Sequence, residues 1–69
     1  MDRAAKQAIE STVWDRTTGA GIDPEAAPAR PDRATMDALA RALGRPLAPE
    51  EAELAAQAWR RCVQAMAQP

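Results

Sequence analysis

The apolar positions of the chain fall into helical rather than alternating spacing. At about 100° per residue, Ala52, Ala55, Trp59, Cys62, Val63 and Met66 share one stripe, with Glu50, Glu53, Gln57, Arg60, Gln64 and Gln68 opposite. This predicts an amphipathic helix over 49–67. Pro49 suits the first helical position, where its missing N–H has no partner to lose. Glu50, Glu51 and Glu53 follow near the first turn, where carboxylates favour the positive end of the helix dipole. They read as a solvated acidic start. The alanines between them raise helix propensity.

A second helix is predicted over 32–43. Met36, Leu39, Ala40 and Leu43 repeat at i, i+3, i+4, i+7. Asp32 after Pro31 suits the N-cap, Gly44 suits the left-handed position after the last turn, and Pro46 prevents continuation. Leu47 then acts as a staple residue before the next helix. A connection as short as Gly44 to Ala48 predicts an antiparallel hairpin, with Met36, Leu39, Leu43 and Leu47 packed on Ala55, Trp59, Cys62 and Met66.

The N-terminal part is less regular. Ala5, Ala8, Ile9, Thr12 and Val13 make a narrow stripe, predicting a helix over 2–14 started by Asp2. From 15 to 31 the periodicity stops. Thr17-Thr18-Gly19-Ala20-Gly21 is followed by Pro24, Pro28 and Pro31, and each proline pushes its preceding residue towards extended backbone. The expectation is an extended arm in which Ile22 is the one large apolar residue. The fold class is therefore all-α: an N-terminal helix (1–14), an arm (15–31) and a helical hairpin (32–69).

Composition adds a shortage of core. Of 69 residues, 18 are alanine, and the aromatics are limited to Trp14 and Trp59. Ordering about 45 residues costs roughly 65 kcal/mol at about 1.5 per residue. Burying about 2,500 Å² of apolar surface returns on the order of 60 kcal/mol. A near-zero balance makes self-association or a partner the physical remedy. The net charge of −1 supplies no field to gather nucleic acid or a membrane surface. No apolar run approaches a membrane span, and the start has no signal-peptide core. A lone Cys62 on the apolar stripe suits a reducing compartment. The expected setting is cytoplasmic, for a short complete protein.

Candidate chemistry is sparse. The chain has no histidine, which removes the commonest general base and metal ligand, and Cys62 and Ser11 have no neighbouring base. Glu50, Glu51 and Glu53 as an acid–base or metal cluster give way to the simpler dipole-friendly first turn. Gly19-Ala20-Gly21 lacks the strand before and the helix after that a phosphate cradle needs. No catalytic residue, cofactor or metal is assigned, and the chain is not read as an enzyme.

The residues assigned to partner binding are Trp14, Ile22, Trp59, Arg60 and Met66. For Trp59 the competing role is hairpin core, for Trp14 core and interface stand level, and Arg60-Arg61 is otherwise a solvated face. Residues 36–66, with Leu47-Ala48-Pro49-Glu50-Glu51 at the turn, are similar to small helical-hairpin subunits that clasp amidase-type enzymes. In those the arm follows the hairpin; here it precedes it. The resemblance implies a clasping role for such a layout. The leading expectation is a non-catalytic accessory subunit or regulator bound to a larger protein, or a homo-oligomer. One alternative is a dimeric helix-turn-helix-like DNA-binding regulator, opposed by carboxylates at the start of the would-be recognition helix. The other is an inhibitor of an enzyme or toxin.

Overall fold

The computed structural model describes residues 2–19 and 22–67. They form three helices, α1 (Arg3–Gly19), α2 (Arg33–Leu43) and α3 (Pro49–Ala67), with no strand among the described residues. All-α is thus the fold class.

The ends of α2 follow from local chemistry. The Asp32 carboxylate accepts from the Thr35 amide at 2.9 Å, satisfying one of the free N–H groups of the first turn. At the other end Gly44 adopts φ 74°, ψ 15°, a conformation open to glycine because it has no Cβ. The Gly44 amide donates to Ala40 and Arg41 carbonyls, and the Arg45 amide donates to Ala40 at 3.2 Å. This closes the last turn as a Schellman motif. At α1, the Ala4 amide donates to Asp2 Oδ1 at 3.3 Å, as a capping aspartate requires.

Helix α1 does not stop at residue 14 as expected; it continues for five more residues to Gly19. Its buried positions are Ala5, Ile9, Val13 and Thr17. The stripe therefore extends one full step further through a polar residue. The Thr17 hydroxyl donates to the Val13 and Trp14 carbonyls at 2.9 and 3.0 Å, and Thr18 donates to Trp14 at 2.7 Å. Threonines that bond back into the preceding turn can sit inside a helix with their polar group satisfied. Residues 15–19 accordingly belong to α1 and not to an arm. Gly19 is its last residue, while Ala20 and Gly21, the rest of the Gly-x-Gly, lie outside the described residues, as do Met1, Gln68 and Pro69.

The packing corrects the expected hairpin. Helix α1 lies against both α2 and α3, while the backbones of α2 and α3 stay more than 8 Å apart. Residues from the start of α1 (Asp2, Ala4, Ala5, Ala8) border a shallow cleft with Ala42, Leu43 and Arg45, so α1 and α2 run antiparallel. The apolar residues assigned to a two-helix seam do meet, but in a core completed by α1. Ile9, Val13, Leu39, Ala55, Ala58, Trp59 and Cys62 form its buried centre, and Ile22, Met36, Leu43, Leu47, Leu54 and Val63 pack against it. Met66 is half-buried and stands outside that cluster. Buried alanines at 55, 56 and 58 leave α3 a shallow surface on which another helix can lie closely. The radius of gyration is 11.4 Å, close to the roughly 11 Å of a compact chain of this length. Segment 22–31 is therefore folded back on the helices, with Ile22 and Pro28 held against the core.

Thr35 is 1% exposed in the first turn of α2. Its hydroxyl and then its amide face the Asp32 carboxylate and hold that carboxyl below its ordinary range.

Candidate partner-binding surface

The two tryptophans have opposite surroundings. Trp14 follows the buried Val13, and one residue turns a helix by about 100°, which carries the indole off the packed stripe of α1. It is 50% exposed, the one exposed large hydrophobic among the described residues. Trp59 lies on the stripe of α3, is 1% exposed and is the largest side chain of the core. Its Nε1–H donates to the Pro28 carbonyl at 2.8 Å. Both its ring and its polar handle are used by its own chain, so Trp59 is a core residue in this fold, covered where Pro28 is seated.

The other assigned residues divide in the same way. Ile22 is half-buried against the core. Arg60 is exposed on α3 and borders a shallow concavity with Gln57, Arg61 and Gln64, all on the polar face of the helix. Trp14 and Arg60 thus face outward from different helices, Ile22 and Trp59 face inward, and Met66 lies between these extremes near the end of α3.

The acidic start of α3 differs from expectation. Glu51 is not solvated: it is 3% exposed. Its two carboxylate oxygens take the Arg45 guanidinium at 2.5 and 2.6 Å, and Oε1 also accepts from the Ala48 amide at 2.8 Å. The backbone bond is half of a capping box, made from the third helical position back to the N-cap. Alanine occupies that cap, so the familiar Ser/Thr signature is missing. Arg45 comes from the loop closed by Gly44, and the pair ties the end of α2 to the start of α3. Glu50 and Glu53 are exposed. Among the described residues no group of three His, Cys, Asp or Glu side chains is placed to hold a metal ion, and no helix is long and apolar enough to cross a membrane.

This pair sets a pH dependence. The Arg45 hydrogen bonds, then the Ala48 N–H, push the Glu51 carboxyl from 4.5 down to about 2, against the opposing effect of burial. A carboxyl with a lowered folded-state pKa stabilises the fold fully above its unfolded value and loses that contribution as pH falls. The midpoint difference between the parent chain and Glu51→Gln should therefore be largest near pH 7. It should shrink between pH 4.5 and about 2 and vanish below. Paired thermal scans of the two chains across that range check it.

Comparison of the chain with protein-family models, with curated proteins and with solved structures finds no match.

Proposed function

We propose that the chain is a non-catalytic interaction protein, an accessory subunit or regulator that binds a larger protein in the cytoplasm. The observation that carries this reading is Trp14, a large aromatic held half-exposed on a helix whose opposite face is fully committed to the core. A tryptophan offers much apolar area with few torsions to freeze, which is why it is over-represented among residues that dominate binding energy. Arg60 supplies an outward contact on α3 and the half-buried Met66 a partly accessible one, and segment 22–31 is the arm of this reading. A small core of alanines and few large side chains favours gaining stability from a bound partner.

The test is affinity capture of the tagged chain and its Trp14→Ala variant from the native extract, with stoichiometry. One partner at near-equal amount, lost with Trp14→Ala, supports the reading. With the purified pair, Trp14→Ala should weaken binding by about 2 kcal/mol, roughly thirtyfold. The thermal midpoint of the free chain should hardly change, as for other exposed sites. Equal capture by both chains overturns the role of Trp14. The partner's activity with and without this chain separates subunit from inhibitor.

A further inference from the structure

The segment 22–31 is held unlike anything else in the fold. None of its residues is buried. Its internal hydrogen bonds are confined to a turn, where the Ala26 amide donates to the Asp23 carbonyl at 3.1 Å and the Glu25 amide to Asp23 Oδ1 at 3.0 Å. Among the described residues, a single hydrogen bond joins it to the helices, from Trp59 Nε1 to the Pro28 carbonyl. One large aliphatic side chain, Ile22, anchors it on the core. Segments with few buried apolar contacts and few hydrogen bonds open at low free energy, well before the helices they lie on. What this segment covers is the reverse: a donor fixed on the buried face of α3, costly to leave without an acceptor.

We propose that residues 22–31 are a strap occupying a peptide groove beside Trp59, and that the groove accepts in their place a proline-containing segment of another protein. The chemistry of that ligand is read from the present occupant. It offers a carbonyl to the indole N–H from Pro28, a second proline three residues later in Pro28-Ala29-Arg30-Pro31, and an aliphatic side chain upstream at Ile22. Proline-containing segments suit such a seat because the ring fixes φ, so that little entropy is lost on docking, and because it leaves the carbonyl free to accept. The strap is then an autoinhibitory contact, and a competing peptide must displace it. This inference concerns the Trp59 side of the molecule and does not rest on the Trp14 surface.

The probe is a fluorescein-labelled peptide of residues 22–32, titrated against the full chain by anisotropy. Ile22→Ala weakens the strap without touching Trp59, and should bind the peptide at least tenfold more tightly than the parent chain. Adding Trp59→Phe to Ile22→Ala keeps an aromatic ring but removes the donor, and should reverse that gain about tenfold. A natively helical Ile22→Ala chain that binds no tighter, or binding indifferent to Trp59→Phe, overturns the proposal. Hydrogen exchange on the parent chain decides it even where a variant fails to fold. The Trp59 indole N–H should exchange at least tenfold faster than the slowest amides of α3, and equal protection means that no strap opens separately. Trp14 is unchanged throughout, so failure here leaves the reading based on Trp14 intact.

Discussion

Trp59→Ala is expected to leave the chain largely unfolded at 25 °C. The indole is the largest fully buried side chain, and large-to-small changes of this kind cost about 3–5 kcal/mol. Native stability of roughly 0.05–0.15 kcal/mol per residue gives a chain of this length only about 3–10 kcal/mol in all. The variant also loses the donor that holds Pro28. Trp59→Phe separates the two contributions: it keeps most of the packed ring and gives up the N–H, so it should remain folded with a lower midpoint. Urea unfolding followed by circular dichroism at 222 nm, a helix signal common to any such protein, reads all three chains. An alanine variant with native helix content and an unchanged midpoint would mean that Trp59 does not close the core.

The caps explain why so much of the helix layout was legible. Asp32 and Gly44 act within a few residues of themselves, and their consequences are set by local backbone chemistry. The bounds of α3 follow equally from Pro49 and a long apolar stripe. The end of α1 was not legible, because Thr17 looks polar in sequence and becomes an inward-facing residue only once its hydroxyl bonds back to Val13 and Trp14. The phase of the series Ala5, Ile9, Val13 was the available signal, since it points to residue 17 next.

Tertiary arrangement was harder to read for a different reason. A short connection predicts that two helices are neighbours, but it says nothing of a third element whose stripe competes for the same faces. Here α1 takes the position between them. The candidate site shows the same limit. Trp59 is in phase with Ala55 and Cys62, whereas Trp14 sits one residue past Val13 and so out of phase with its own stripe. That difference separates a core indole from an exposed one. The pairing of Arg45 with Glu51 escaped because the glutamate acts on a cap occupied by alanine, where no side-chain signature marks it.

The bridging position of α1 makes Ile9→Ala the second substitution with a large expected effect. Ile9 is fully buried in the core cluster shared by all three helices. Its truncation should cost about 2–5 kcal/mol, depending on how far the site can collapse. The more telling expectation concerns cooperativity. Because α2 and α3 pack on α1 and not closely on each other, weakening α1 should release all three helices together, in one transition with loss of the whole helical signal. If α2 and α3 instead formed a self-sufficient hairpin, their 30 of the 47 helical residues would keep about two-thirds of the signal after α1 detached, and a second transition would follow. Gln7→Ala on the exposed side of α1 is the control, and should stay within about 0.5 kcal/mol of the parent chain. Thermal and urea unfolding of Ile9→Ala, followed in parallel by circular dichroism and by Trp59 emission in a Trp14→Phe background, distinguishes the two outcomes. Coincident curves support α1 as the keystone of the fold, and a residual helical plateau with a still-buried Trp59 places the core in α2 and α3 alone.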